Sequence, residues 1–112
     1  MPIRRNLLSW QYAGYAANHR DRVNIVIHLL TVPLFWLGAL SGLLSLLVLQ
    51  PWGIAGGLGL MLLAFLAQGI GHRREHNAPV PFDGAGDFFS RIFAEQFISF
   101  PRYALRLLRG GR

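Results

Sequence analysis

From Val23 to His72 the chain carries no Asp, Glu, Lys or Arg, and this stretch is interrupted by one turn sequence, Gln50-Pro51. Val23 to Leu49 is almost wholly apolar, and at ~1.5 Å rise per residue it is ample to cross a ~30 Å hydrocarbon core. Trp52 to Gly71 is a second apolar run of twenty residues. In lipid such segments must satisfy their own backbone polar groups, which they do as helices. The pattern therefore predicts an all-α integral-membrane bundle built on a two-span hairpin, with span 1 over 23–49 and span 2 over 52–72. Pro33 removes the hydrogen bond to the Leu29 carbonyl, so a kink or local opening is expected there. Gly53, Gly56, Gly57 and Gly59 should allow close helix approach.

Charge distribution gives the orientation. The net charge of +6 comes from eleven arginines and no lysine, confined to residues 4–22 and 73–112. These groups flank an apolar block rather than cover a folded surface, which argues against nucleic acid and for anionic lipid headgroups as partner. The turn carries no charge while Arg4, Arg5, Arg20, Arg22, Arg73 and Arg74 lie on the other side, so the positive-inside rule places both termini in the cytoplasm. A bacterial inner membrane is the expected location. The start, Ile3-Arg4-Arg5-Asn6-Leu7-Leu8, resembles a twin-arginine signal, but no uninterrupted apolar core follows, so no cleaved signal peptide is expected. There is no cysteine, and any metal must take nitrogen and oxygen ligands.

The flanks read as amphipathic. Within an interfacial segment 1–22, a helix over 6–19 places Leu8, Tyr12, Tyr15 and His19 on one face, and Asp21 is positioned to cap the next helix. Residues 73–86 form a loop. Residues 87–109 form C-terminal amphipathic helices, with Asp87 as cap, an aromatic face through Phe89, Phe93, Phe97 and Phe100, and a break at Pro101. Arg102, Arg106 and Arg109 then share a face suited to phosphates. The whole, 1–112, is read as a single membrane domain, with a homo-oligomer left open.

The four histidines sit at the two ends of the uncharged stretch. His28 precedes the Gln50-Pro51 turn by 22 residues and His72 follows it by 21, so an antiparallel hairpin makes them neighbours. Asn24 and His28, and likewise His72 and His76, are four apart and share a helix face. His19 is nine residues from His28 and joins only if the chain breaks near Arg20 to Arg22. Neutral imidazole is a good ligand for iron, zinc, copper and nickel, and Glu75 could complete or orient the set. The competing reading is that each histidine hydrogen-bonds between helices or faces headgroups. Arg20, Arg22, Arg73 and Arg74 encircle the cluster; Arg20, Arg73 and Arg74 are candidates to grip a substrate carboxylate, and topology control is the alternative. Glu95, among aromatics, is read by default as solvated, with metal ligation or pairing to an arginine as alternatives.

These residues resemble the small membrane family of iron-dependent 2-hydroxy fatty acid dioxygenases of fatty-acid alpha-oxidation. The resemblance rests on Tyr15-Ala16-Ala17-Asn18-His19, on Val23-Asn24-Ile25-Val26-Ile27-His28 with Pro33, and on Gln68-Gly69-Ile70-Gly71-His72 followed by Glu75 and Pro79. It covers roughly residues 12–80. It implies an Fe(2+) centre, dioxygen as oxidant, and a 2-hydroxy fatty acid shortened by one carbon. It also implies that His19, His28 and His72 are catalytic metal ligands, with His76 as a further ligand and Asn24 and Glu75 in support. The alternative is a non-catalytic membrane protein whose histidines serve packing, lipid contact or partner assembly. A soluble bundle that buries its apolar runs by oligomerising is a third reading.

Overall fold

The computed structural model describes residues 3–77 and 80–110, and among these every regular element is helical. In chain order they are α1 (Leu7–Ala13), α2 (Tyr15–Asn18), α3 (Arg22–Leu47), α4 (Pro51–His72), α5 (Ala85–Ala94), a π-helical turn (Glu95–Ser99) and α6 (Phe100–Leu108). The all-α hairpin expected from the uncharged stretch is present as α3 and α4. Asp21 caps α3 as anticipated, its carboxylate accepting the Asn24 N–H at 3.0 Å. Gln50 does the same for α4, its side-chain oxygen accepting the Trp52 N–H at 2.8 Å, with Pro51 at the first helical position. At Pro33, α3 continues as one helix.

The flanking elements differ from expectation. The predicted helix over 6–19 is divided at Gly14 (φ −93°, ψ 0°), which turns the chain between α1 and α2. Asp87 is not the N-cap of α5; that position is Gly84, whose φ of 124° favours glycine. Asp87 lies in the first turn instead and reaches back to accept the Asp83 N–H at 3.0 Å. Nor does Pro101 separate two helices. The π-helical turn shifts the ladder by one residue, with the Phe100 N–H donating to the Glu95 carbonyl, and Pro101 falls in the first turn of α6, where its missing donor costs little.

Glycines set the hairpin contact, and not all those expected take part. A side chain at Gly57 would place its Cβ 2.5 Å from the Gly38 carbonyl oxygen and 2.7 Å from the Gly42 Cα. The backbones therefore cross at Gly38, Gly42 and Gly57. Gly56 and Gly59 face open space, so they contribute nothing to this crossing. The outer surface of the hairpin is apolar and uncovered: only 28% of the most apolar window of α3 and 17% of that of α4 is buried. Leu30, Leu37, Leu40, Leu47 and Leu63 are all more than half exposed. Helices of 26 and 22 residues with that surface are long and apolar enough to cross a membrane, and most of that surface is uncovered within the chain.

One face of the hairpin is covered by the remaining helices. Phe35 packs on Phe93 and Phe97, and Phe65 on Phe88. The buried cluster of Tyr15, Val32, Phe100 and Tyr103 joins α2, α3 and α6. This packing brings the end of α2 beside His28 and His72 and the start of α6 beside His28.

Two outcomes test this account. Gly57→Leu should force α3 and α4 apart and cost about 1–3 kcal/mol, read as a lower melting temperature in detergent, whereas Gly56→Leu should be neutral. The Asp21 carboxyl is held below the ordinary carboxylate range, chiefly by the Arg74 guanidinium and then by the Asn24 N–H. Its contribution is therefore complete above an unfolded value of ~3.9 and lost as pH falls through the lower folded value. The melting-temperature gap between the natural chain and Asp21→Asn should hold from about pH 8 to 5 and close in stronger acid; a gap that widens in acid would contradict this.

Candidate metal centre

Local hydrogen bonds fix the tautomer of two imidazoles. His28 lies in the second turn of α3, and its Nδ1 is 2.9 Å from the Asn24 carbonyl oxygen; His19 Nδ1 is 2.8 Å from the Tyr15 carbonyl oxygen. A carbonyl only accepts, so each Nδ1 carries the proton and each Nε2 presents a lone pair. His28 is 0% and His19 3% exposed, and neither Nε2 has a hydrogen-bond partner. His72 completes the group from the end of α4. The three rings have centroids 4.8 to 5.0 Å apart and meet edge to face.

Glu95 closes the cluster from the far end of the sequence. Its Oε2 is 3.3 Å from His19 Nε2, 3.3 Å from His28 Nε2 and 3.9 Å from His72 Nε2. One ligand atom from each of the four residues lies within 4.8 Å of all the others. Burial pushes His19 down against the opposing pull of Glu95, which keeps the ring neutral. Buried lone pairs facing a carboxylate oxygen at 3.3 Å repel one another unless a cation lies between them. Metal–ligand bonds of ~2.0–2.2 Å place ligand atoms about 3–4 Å apart, so the donor set fits a metal ion in spacing and in chemistry.

Tyr15 supports both members of one pair. Its hydroxyl donates to Glu95 Oε2 at 2.9 Å, and its ring stacks on His19 with centroids 3.8 Å apart and planes 8° from parallel. Burial, and then the Glu95 charge, push the phenol well above its ordinary value, so it stays a donor.

The π-helical turn presents Glu95. Widening the ladder over Glu95–Ser99 leaves the Gln96 carbonyl to accept the Trp36 indole N–H at 2.6 Å. The Gln96 side chain, 0% exposed, exchanges two hydrogen bonds with Gln68 at 3.0 and 2.6 Å, and Gln68 also donates to Thr31 at 3.0 Å. The turn is thereby tied to both α3 and α4.

The other candidates from the sequence separate into distinct places. His19 ends α2 with φ −134° and ψ 56°, which is the chain break it needs to reach His28. Glu75 does not join the cluster; it holds that break by accepting from the Arg20 N–H at 2.8 Å, the Asp21 N–H at 3.0 Å and the Asn24 side-chain amide at 2.7 Å. Asn24 is buried against Gly71, where a Cβ would collide with its side chain, and its carbonyl holds His28. His76 is exposed beyond α4, outside the converging group. Arg20 and Arg22 are exposed, and Arg74 pairs with Asp21 at 2.8 Å. Arg73 lines a cavity of about 800 Å³ with His19, His72 and Glu95 at its polar end and Phe65, Phe82 and Ile92 among its apolar walls. His28 does not line this cavity and closes the cluster from behind.

Sequence reasoning did not anticipate Tyr15, the Gln68–Gln96 pair or Arg91, and its default for Glu95, a solvated side chain, is overturned by the 14% exposure and the imidazole neighbours. Arg91, buried at the cavity wall, pairs with Asp87 at 3.2 Å and donates to the Val80 carbonyl at 2.8 Å. The signals available were the four-residue spacing of Tyr15 and His19, and a lone acid among aromatics.

Comparison with known proteins gives one match. A family model described as 2-hydroxy-palmitic acid dioxygenase Mpo1-like matches residues 6–96, a span that takes in His19, His28, His72 and Glu95. No curated protein and no solved structure matches the chain. With well over half its length matched and the buried histidines inside that span, the chain belongs to the Mpo1-like family of 2-hydroxy-palmitic acid dioxygenases.

Proposed function

We propose that this chain is a membrane-embedded non-haem iron dioxygenase that shortens a 2-hydroxy fatty acid, or a related lipid, by one carbon. The observation that carries the reading is the set of unpartnered, buried Nε2 lone pairs of His19 and His28 facing Glu95 at the end of an apolar cavity. His19, His28, His72 and Glu95 would hold the metal, which when bound supplies Lewis acidity and a binding place for dioxygen. The family's description as a dioxygenase favours iron among the metals that a nitrogen and oxygen donor set accepts. The overall change balances with dioxygen as the sole oxidant if the carboxyl carbon leaves as carbon dioxide, the second carbon becomes the new carboxyl and one water is released.

The protein's own groups account for binding and orientation. The hydroxy-acid end of the substrate lies against His72 and Glu95, with the Arg73 guanidinium at the cavity edge to offset its charge. The acyl chain runs along Phe65, Phe82 and Ile92, which exclude water from the reacting end. Tyr15 holds the Glu95 carboxylate in place, and the Asn24 and Tyr15 carbonyls hold the His28 and His19 rings. Both termini and the cluster lie toward the cytoplasmic face of a bacterial inner membrane, as the arginine distribution directs.

Purification in detergent under anaerobic, reducing conditions should yield protein with bound iron in excess of zinc and copper. His28→Ala and Glu95→Gln should each lower that content roughly tenfold or more, while His76→Ala leaves it unchanged. Incubation of the iron-loaded chain with 2-hydroxypalmitate and dioxygen should give the one-carbon-shorter acid. A metal-free protein indifferent to the His28 and Glu95 changes would end the enzymatic reading. Gly69 lines the cavity and a Cβ there meets nothing within 4 Å, so Gly69→Leu fills cavity space without touching the hairpin. It should lower kcat/KM for long-chain 2-hydroxy acids roughly tenfold and spare short ones; equal effects on all chain lengths would remove the acyl chain from this cavity.

A further inference from the structure

Helix α6 has two functional faces, and the metal cluster uses one. Phe100 and Tyr103 are buried, with ring centroids 5.6 Å from His28 and 6.3 Å from His19 respectively. On the other side Arg102, Arg106 and Arg109 are exposed and recur at helical spacing along a groove of about 550 Å³. Phe97, Ile98 and Leu105 line the same groove and are 44%, 46% and 52% exposed. The Arg102 guanidinium lies 3.8 Å from the centre of the Tyr12 ring, which fixes the position of the groove relative to α1.

Among the five carboxylate side chains, Asp21 pairs with Arg74, Asp87 with Arg91, Glu75 accepts from backbone amides and Glu95 sits in the cluster. Asp83 lies in the loop before α5. No ion pair joins Arg102 or Arg109 to a carboxylate among the described residues. Guanidinium groups beside exposed apolar side chains match a molecule with an anionic head and an apolar body. The apolar strip is also continuous with the uncovered hairpin surface, because Phe97 packs on Phe35 of α3. Helix α6 lies beyond the 6–96 span that carries the family match.

We propose that this groove binds an anionic phospholipid, with Arg102 and Arg109 gripping its phosphate and the acyl chains lying over Phe97, Ile98 and Leu105. The site is separate from the cavity at the metal centre and does not depend on the enzymatic reading. A free phosphate would satisfy the arginines and leave the apolar floor uncovered.

The test uses the full chain reconstituted in phosphatidylcholine nanodiscs with a minority of phosphatidylglycerol. The protein is extracted into mild detergent and its retained lipid measured by native mass spectrometry. Phosphatidylglycerol should be retained in preference to phosphatidylcholine, and Arg102→Gln with Arg109→Gln should lower that retention roughly tenfold or more. Arg102→Lys with Arg109→Lys, which keeps the charge and loses the planar fork, should retain an intermediate amount. Arg5→Gln with Arg22→Gln removes the same charge from exposed positions elsewhere and should leave retention unchanged. Millimolar inorganic phosphate should not displace the lipid. The proposal fails if the natural chain shows no preference for phosphatidylglycerol, if the Arg5 and Arg22 control loses as much, or if inorganic phosphate competes fully.

Discussion

The contact on which the rest of the structure depends is one carboxylate oxygen, Glu95 Oε2, facing three imidazoles. Removing a carboxylate from water costs several kcal/mol unless opposite charge and hydrogen bonds replace the lost hydration. Here Tyr15 donates one hydrogen bond, while His19, His28 and His72 stand within 3.9 Å and the first two turn lone pairs toward the same oxygen. The cluster therefore ties α2, α3, α4 and the π-helical turn to one point. A cation at that point would turn an arrangement of opposed lone pairs into an attractive one, which is why the polar groups at the site and the helices around it belong to a single account.

The polar groups that seat the π-helical turn on the hairpin are paired with one another. Gln68 and Gln96 exchange both of their amide hydrogen bonds, Thr31 takes a further one, and the carbonyl freed by the π-helical turn receives the Trp36 indole. In an apolar surrounding an unpaired amide would be expensive, so the reciprocal arrangement defines how the C-terminal helices sit on the hairpin. A one-residue slip of the turn would break this pair and withdraw Glu95 together. The irregular ladder and the site are thus two consequences of one packing solution.

Glycine and asparagine perform a comparable service at the hairpin. Gly57 against Gly38 and Gly42 brings the backbones close, and Gly71 leaves room for Asn24, whose carbonyl fixes the His28 ring while its amide reaches Glu75. The stretch Gln68-Gly69-Ile70-Gly71-His72 can then be understood position by position. Gln68 pairs with Gln96, Gly69 borders the cavity, Gly71 admits Asn24 and His72 faces Glu95.

The uncharged run, its turn and the Asp21 cap were legible in the sequence because they depend on local composition and spacing. The meeting of His28 with His72 was legible too, since a hairpin folded at Gln50-Pro51 equalises their depths. The sequence likewise indicated that His19 must leave its helix, because nine residues of continuous helix would turn it away. What closed the break was not legible: Glu75 acts on the amides of Arg20 and Asp21 rather than on the cluster, a long-range choice set by where α4 ends. Glu95 is the clearest case. It lies far along the chain from the nearest cluster histidine, and its direction depends on a π-helical turn maintained by Gln68 and Trp36. The sequence by itself determined an apolar helical hairpin with histidines at its open end; only the tertiary structure decided which carboxylate joined them, because that carboxylate meets groups from three other segments at once.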